Sequence, residues 1–151
     1  MANLLYTAAR AAFMKAELDW DDDVPIKVML IRTVQGDGAG GNAVYTVSAT
    51  HTSLADVPDN GYCRATDGVE LTGRAVNSDA EAEADNVTFD AVPAGDPIQA
   101  ILIYADPEEA QSDADRLLIA YYDTGGSMPI TPNGGDITVT WPTSSPYLFG
   151  L

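Results

Sequence analysis

A strictly alternating segment near the C-terminus is the feature that most constrains the fold. Residues 136–141 place three apolar side chains on one face and two threonines on the other. Successive side chains of a β-strand point to opposite faces, so this period of two predicts a half-buried strand. The apolar run 117–122 predicts a second strand, and residues 124–135 between the two are rich in Gly, Pro and Asn. That composition favours a turn-rich loop between two neighbouring strands of a β-sheet.

Short strand-like segments recur along the rest of the chain. Turn signals separate them about every 8 to 12 residues, which predicts a mainly β fold, an antiparallel β-sandwich or barrel. Residues 98–105 are apolar on both faces and predict a central strand, whereas Asp67-Gly68 is typical of a hairpin turn and the acidic segment 77–86 predicts an exposed loop. The predicted strands, about eight in all, are 26–33, 44–49 with Tyr45, Val47 and Ala49 facing inward, 62–66, 69–76, 87–92, 98–105, 117–122 and 136–141.

The N-terminal segment predicts one helix. Residues 3–18 carry apolar side chains at three-to-four spacing, mostly alanine together with Leu5 and Phe13, and Asn3 is a suitable N-cap. A helix with such small side chains packs closely either on a sheet or on the same helix of a second subunit. The sequence leaves both alternatives open.

Composition limits the domain count and the partners. A chain of 151 residues, 46% of them hydrophobic, fits a single domain, residues 1–151, with a sizeable core. The formal net charge is −16, from 23 acidic and 7 basic residues. Such a surface repels phosphate, so we expect no direct nucleic-acid binding. An acidic, lysine-poor chain also fits a halophilic or marine source, where salt screens self-repulsion.

We expect neither a disulfide nor a membrane anchor. Cys63 is the single cysteine, and the sequence predicts it as a small core residue beside Tyr62. The apolar N-terminal run lacks a basic start and is interrupted by Arg10 and Lys15, unlike an export signal. No stretch approaches the roughly 18 to 20 apolar residues of a membrane-spanning helix. These features predict a soluble protein that is made and kept in a cytoplasm.

A glycine-rich segment matches the pattern of a dinucleotide-binding loop. Residues 36–41 read Gly-Asp-Gly-Ala-Gly-Gly and follow a predicted strand. A phosphate-binding loop needs a helix N-terminus directly after the glycines, whereas residues 42–47 alternate like a strand. The segment therefore predicts a flexible loop between strands.

An acidic run resembles the start of a calcium loop. Hard cations bind several carboxylate oxygens that converge within a few residues, and the run contains Asp19, Asp21, Asp22 and Asp23. The glycine and glutamate that an EF-hand needs further along are absent. A solvated acidic turn after the helix and a weak cation site between subunits both remain open.

The letters of a hydrolase triad occur in His51, Ser53 and Asp56, without the strained serine turn that activates the nucleophile. Ser53 followed three residues later by Asp56 instead predicts a capping box for one helical turn over residues 53–57. The single histidine and single cysteine also argue against a transition-metal site.

Several motifs together carry a family resemblance. They are Leu-Ile-Ala-Tyr-Tyr-Asp-Thr-Gly and Pro-Ile-Thr-Pro-Asn-Gly-Gly-Asp-Ile-Thr-Val-Thr-Trp in the last third, the opening Met-Ala-Asn-Leu-Leu-Tyr-Thr-Ala-Ala-Arg-Ala-Ala-Phe, Asp19-Trp20, Val-Glu-Leu-Thr-Gly-Arg-Ala-Val at 69–76 and Asp-Asn-Val-Thr-Phe at 85–89. Across most of its length the chain thus resembles a family of small virion proteins of tailed bacteriophages. The resemblance implies a particle component, namely a head decoration (cement) protein, although some relatives carry a tail or unspecified structural label. It brings no catalytic residues.

The implied protein is a structural partner and not an enzyme. We expect it on the capsid surface after assembly in the host cytoplasm, bound to the major capsid protein and to further copies of itself in a homo-oligomer, a trimer being one option, without cofactor or membrane. The alternative is a tail, neck or head-fibre structural or adhesion protein, with the aromatic-flanked loop 141–146 as its candidate contact. The candidate partner-binding residues are Leu4, Leu5 and Phe13 in the N-terminal segment and Tyr147, Leu148, Phe149 and Leu151 at the C-terminal end; each end is either an arm onto a partner or an ordinary core element.

Overall fold

A computed structural model of the chain describes residues 3–21, 24–125, 128–143 and 148–150. Within them the chain forms ten β-strands, all paired antiparallel, and one α-helix, so the prediction of a mainly β antiparallel fold is confirmed. The elements are β1 (Leu4–Leu5), α1 (Thr7–Met14), β2 (Ile26–Ile31), β3 (Val69–Glu70), β4 (Ala75–Val76), β5 (Glu81–Glu83), β6 (Val87–Phe89), β7 (Ala100–Ala105), β8 (Leu118–Tyr122), β9 (Ile137–Val139) and β10 (Phe149–Gly150).

A five-stranded sheet forms the centre of the molecule. Its strand order is β1-β8-β7-β2-β3, so β7 is the middle strand. All six residues of β7 are buried, and it pairs with β2 from Ile26↔Ala105 to Ile31↔Ala100. The prediction of a central strand within residues 98–105 is therefore confirmed, because a strand covered on both faces needs apolar side chains at every position.

Two smaller sheets complete the described strands. Their orders are β10-β5-β4 and β6-β9, and these separate sheets favour the sandwich over the closed barrel. The alternation over residues 136–141 is confirmed, since Ile137, Val139 and Trp141 are buried whereas Thr138 and Thr140 are exposed. The buried side chains of all sheets belong to one hydrophobic cluster.

The expectation that the strands of the last third are neighbours is wrong. β9 pairs with β6, in the register Val87↔Val139, and β8 pairs with β7 and β1 in the five-stranded sheet. The connecting segment crosses between the sheets, and on the way Ile130 forms an isolated bridge with Ile98. A turn-rich composition shows that the chain reverses, but it does not specify which strand the next strand pairs with.

The predicted hairpin at Asp67-Gly68 does not form. Instead the chain from Arg64 to β3 runs along the outer edge of β2, with Ile31↔Arg64 and Val28↔Val69 as pairs. From one pair to the other is three residues along β2, from 31 to 28, but five residues along the outer segment, from 64 to 69. The outer segment therefore contains two extra residues and forms a bulge. The predicted strands 62–66 and 69–76 thus reduce to one bridge, β3 and β4, and β4 belongs to a different sheet.

Two further predictions need correction. The predicted strand 44–49 has no strand pairing, and within it Tyr45 is buried, Val47 is half-buried and Ala49 is exposed at a turn. The predicted acidic loop 77–86 contains β5, because Ala82 is buried and pairs with Val76 and Phe149 on its two sides. Alanine supplies too little hydrophobicity to show this strand in the sequence.

The helix is shorter than the predicted 3–18. α1 begins after Tyr6, which has no side-chain capping bond, and Asn3 to Leu5 lie outside it. Leu4 and Leu5 instead pair with β8, where a strand satisfies main-chain groups that a helix would leave without partners. Of the two packing alternatives, α1 contacts β8 of its own chain and buries Ala9 and Ala12.

Candidate functional site

The N-terminal segment is held at the edge of the five-stranded sheet. β1 pairs with β8 in the register Leu4↔Tyr121, and the Tyr6 N–H donates to the Ile119 carbonyl at 2.9 Å. The Tyr6 hydroxyl lies 2.7 Å from the Tyr45 hydroxyl, which in turn lies 2.9 Å from His51 Nδ1. This chain of hydrogen bonds anchors a completely buried tyrosine directly behind β1 and so fixes where β1 lies.

The C-terminal segment is held at the edge of the three-stranded sheet. The Leu148 N–H donates to the Ala82 carbonyl at 3.0 Å, and Phe149 pairs with Ala82 in the ladder. The Phe149 ring packs edge-on against Trp20, with centroids 4.9 Å apart, and lies 5.9 Å from Phe13. Aromatic contacts of this geometry stabilise the docked segment beyond the area that they bury.

A groove of about 510 Å³ lies between these two segments. We call it the β1–β10 groove. The segments that line it are far apart in the sequence. They are β1, the end of β8, the residues that follow β9, and the start of β10. The lining residues are Asn3, Leu4, Leu5, Ile101, Tyr122, Thr124, Gly125, Thr140, Trp141, Pro142, Leu148 and Phe149.

The aromatic residues of the groove are fixed by hydrogen bonds. The Tyr122 hydroxyl donates to the Leu148 carbonyl at 2.7 Å, and the Trp141 indole donates to the Asp85 carbonyl at 2.9 Å. The two rings lie 6.2 Å apart. Because their polar atoms are satisfied within the fold, both rings present apolar surface in a fixed geometry.

The groove carries no charge on its described lining residues, although the chain as a whole has a net charge of −16. Burial raises the pKa of Tyr122, so its hydroxyl stays neutral. Polar lining atoms are limited to hydroxyl, amide and main-chain groups, and the Thr124 hydroxyl already donates to Asn3 Oδ1 at 2.9 Å. Such a lining fits apolar side chains and hydrogen-bonding main chain, and it offers no ionic partner.

The structure brings four of the predicted partner-binding residues together. Leu4, Leu5, Leu148 and Phe149 all line the β1–β10 groove. Phe13 contacts the ring of Phe149 but does not line the groove. It lines a second pocket, of about 250 Å³, with Trp20 and Val76. Leu148 is buried and the other four are half-buried, so these positions also contribute to the chain's own core. Tyr147 and Leu151 lie outside the described residues, and partner binding stays a prediction for all seven positions.

Sequence reasoning missed part of the lining. Ile101, Tyr122 and Thr140 were predicted only as strand residues, because a groove between sheets depends on pairings that periodicity does not give. Trp141 was predicted as the last inward-facing residue of the alternating segment 136–141 and also as the start of an adhesion loop. It is 9% exposed and faces the core, as the alternation predicts, and Ser144 to Pro146 of that loop lie outside the described residues.

The other motifs have structural explanations. Asp56 Oδ2 accepts the N–H groups of Thr52 and Ser53, which lowers the pKa of Asp56, and the predicted capping box over Ser53 to Asp56 is confirmed. His51 contacts Tyr45 as described above. The three letters of a catalytic triad thus take part in a turn and in a buried hydrogen-bond chain.

The glycine-rich segment forms a short 3-10 turn, Asp37–Ala39, and no α-helix follows it before Tyr45. The Gly38 N–H donates to Asp96 Oδ2 at 2.7 Å, and the Tyr62 hydroxyl donates to the same oxygen at 3.0 Å. A carboxylate therefore occupies the main-chain donor that a phosphate would need.

Within the described residues, no cluster of three or more His, Cys, Asp or Glu side chains is placed to hold a metal ion. Asp22 and Asp23 of the acidic run lie outside them, so a cation site there stays a prediction. Cys63 is buried, as predicted, and the Arg32 carbonyl lies 3.4 Å from its thiol.

Three of the seven basic residues form one ion-pair network. Asp106 contacts Lys27 at 2.6 Å and Arg116 at 2.5 Å, and Asp113 contacts Arg116 at 3.0 Å and Arg64 at 2.7 Å. The network joins β2 to the acidic crossing between β7 and β8. Burial alone would raise the pKa of Asp106, but hydrogen bonds from Lys27 and Arg116 hold it below its ordinary value.

Comparisons with known proteins add no family. No family model matches the chain, and no curated protein matches it either. Throughout the part of the chain that the structure describes, no helix is long and apolar enough to cross a membrane.

Proposed function

We propose that the chain is a structural protein of a tailed-bacteriophage particle, a head decoration protein that binds the assembled major capsid protein. The observation that carries the proposal is the uncharged β1–β10 groove, in which four residues predicted for partner binding lie together. The motif resemblance supplies the class of particle, and the groove supplies a surface on which a capsid segment can dock.

The physical requirements of this role are modest. A decoration protein needs a rigid scaffold, and the strands of this chain bury one continuous hydrophobic cluster. Apolar contacts of limited area become durable when several copies in one homo-oligomer engage identical capsid sites at once. The acidic surface gives solubility and, at the high copy number of a capsid, tolerates crowding when salt screens it.

Copy number tests the proposal. Quantitative mass spectrometry of purified virions should find this chain at a molar ratio to the major capsid protein near unity or a small fraction of it. A handful of copies per particle would instead favour the tail, neck or head-fibre alternative. Absence from mature particles would overturn the structural role altogether.

A further inference from the structure

The chain contains two Asn-Gly steps, Asn60-Gly61 and Asn133-Gly134. In such a step the main-chain nitrogen of the glycine can attack the side-chain carbonyl carbon of the asparagine, because glycine has no side chain to obstruct the approach. Both glycines are exposed and have positive φ, 76° and 91°. Neither has a heavy atom beyond its chain neighbours within 4 Å of the place where a Cβ would lie. In sequence and in local backbone the two steps are therefore alike.

The side-chain oxygen of Asn60 accepts two main-chain hydrogen bonds. The donors are the N–H groups of Tyr62, at 3.1 Å, and Cys63, at 3.0 Å. On the other side of the same carboxamide, Nδ2 donates to the Ala43 carbonyl at 2.7 Å, which fixes its orientation. Two N–H groups aimed at one carbonyl oxygen polarise the carbonyl, and they stabilise the negative charge that develops on the oxygen when the carbon is attacked.

The attacking nitrogen is available at the first step and engaged at the second. The Gly61 N–H makes no hydrogen bond to the described part of the chain, and Gly61 lines a pocket of about 370 Å³ through which solvent can reach it. The Gly134 N–H donates to the Val92 carbonyl at 3.0 Å, and loss of its proton would break this bond. Asn133 Oδ1 accepts a single N–H, that of Gly135. The fold thus separates two steps that the sequence leaves alike.

We propose that Asn60 is a site of spontaneous deamidation in the folded chain. The Gly61 nitrogen loses its proton to hydroxide and forms a bond to Asn60 Cγ. The bond from Cγ to Nδ2 then breaks, and Nδ2 takes a proton from water and leaves as ammonia, so that a succinimide ring remains. Water opens this ring at either carbonyl and gives aspartate or isoaspartate at position 60. The net change consumes water, releases ammonia and is independent of capsid binding.

Deamidation would remove a hydrogen bond between two loops. Asn60 Nδ2 is the donor to the Ala43 carbonyl, and in the product a carboxylate oxygen takes the place of this nitrogen. A carboxylate has no N–H to donate, so two acceptors would then face each other. In isoaspartate the main chain also passes through the former side chain and lengthens. We therefore expect the segment around Ala43 to loosen after the reaction.

The aspartate product can be made directly by substitution. In Asn60→Asp, hydrogen exchange at residues 42–45 should be faster than in the wild-type chain, because the tie to Ala43 is lost. Asn133→Asp is the matched control and should leave exchange at these residues unchanged. Equal exchange in Asn60→Asp and the wild-type chain would contradict the expected loosening.

Peptide mapping by mass spectrometry tests the reaction itself. The folded chain and the urea-unfolded chain are incubated in the same mildly alkaline buffer, and the replacement of the side-chain amide by a carboxyl group is followed at both asparagines. We expect Asn60 to react at least about tenfold faster than Asn133 in the folded chain, and the two to react at similar rates in the unfolded chain. Equal rates in the folded chain, a faster reaction at Asn133, or no reaction at Asn60 would overturn the proposal.

Discussion

The hydroxyl of Tyr122 donates a hydrogen bond of 2.7 Å to the main-chain carbonyl of Leu148. It is a side-chain link between β8 of the central sheet and the segment that leads into β10, and both residues line the β1–β10 groove. The width of the groove at this point is therefore set by a buried polar contact between two sheets.

Replacing Tyr122 by phenylalanine should loosen this link. The carbonyl of Leu148 would lose its side-chain donor in a buried environment, which costs about 1 to 2 kcal/mol of the free energy of unfolding. Urea denaturation measures the loss, and hydrogen exchange at residues 148–150 should become faster than in the wild-type chain. Unchanged stability together with unchanged exchange would show that the link contributes nothing.

Replacing Phe149 by alanine tests whether the C-terminal segment belongs to the core. The ring packs against Trp20 and Phe13, so its removal should destabilise the chain by about 2 to 3 kcal/mol, less than a fully buried phenylalanine because Phe149 is half-buried. Met14 is a suitable control, since it is 83% exposed and Met14→Ala should change stability by less than about 0.5 kcal/mol. Thermal unfolding of both variants gives the comparison. Equal stability of the two would mean that the segment is an undocked arm in solution.

Acid should destabilise the chain through Asp106. Its pKa is lower in the folded state than in the unfolded state, so the stability that it contributes is present above the ordinary aspartate pKa and is lost as the pH falls through the folded value. The loss should appear below about pH 4. Asp56 and Asp115, whose pKa values are also lowered by hydrogen bonds from main-chain N–H groups, add to it in the same direction.

Asp106→Asn isolates the contribution of the network. The substitution leaves Lys27 and Arg116 without their shared carboxylate and should cost about 2 kcal/mol at neutral pH. Its urea midpoint should then change less than that of the wild-type chain between pH 6 and about pH 3. If the urea midpoints of the two proteins fall by the same amount between pH 6 and about pH 3, Asp106 does not contribute to the acid sensitivity.

The absence of a side chain at Gly68 lets the Tyr104 hydroxyl lie close to the main chain at this position. A Cβ atom at this position would lie 2.0 Å from the Tyr104 hydroxyl oxygen, so Gly68→Ala should destabilise the chain by about 2 kcal/mol. Gly95→Ala is the control, because the nearest heavy atom to its Cβ is the Arg32 guanidinium at 3.7 Å. Chemical denaturation of the double variant Gly68→Ala with Tyr104→Phe should recover part of the loss. Additive losses would rule out the contact as the cause.

The sequence predicts those features of the fold that depend on burial within a single strand, and it does not predict those that depend on contacts between distant segments. The alternation of apolar and polar residues predicted which side chains of residues 137–141 are buried, and the continuous apolar run predicted that β7 is the central strand. Each pattern reports the burial of one strand and needs no knowledge of its neighbours. Asp67-Gly68 was misassigned as a hairpin because the close contact of Gly68 with Tyr104 is tertiary. β1 has only two residues, which is too short to show a period, so it was assigned to the helix.

The candidate site was predictable in its parts and not in its arrangement. The apolar character of Leu4, Leu5, Leu148 and Phe149 is visible in the sequence, whereas their meeting depends on β1 pairing with β8 and β10 pairing with β5. The uncharged lining is likewise a property of the assembled surface, since Asp123 lies in the same segment as Tyr122 but does not line the groove.

Occupancy on isolated heads tests the central claim most directly. Thr138 and Thr140 are both exposed threonines, but only Thr140 lines the β1–β10 groove. Heads from a phage that lacks this chain are mixed with wild-type protein, Thr140→Lys or Thr138→Lys, and the bound protein is measured after sedimentation. The account predicts that wild type and Thr138→Lys saturate the heads at the same stoichiometry and that Thr140→Lys binds at least about tenfold more weakly. Saturation by Thr140→Lys with the wild-type affinity, or no binding by the wild-type chain, would contradict it.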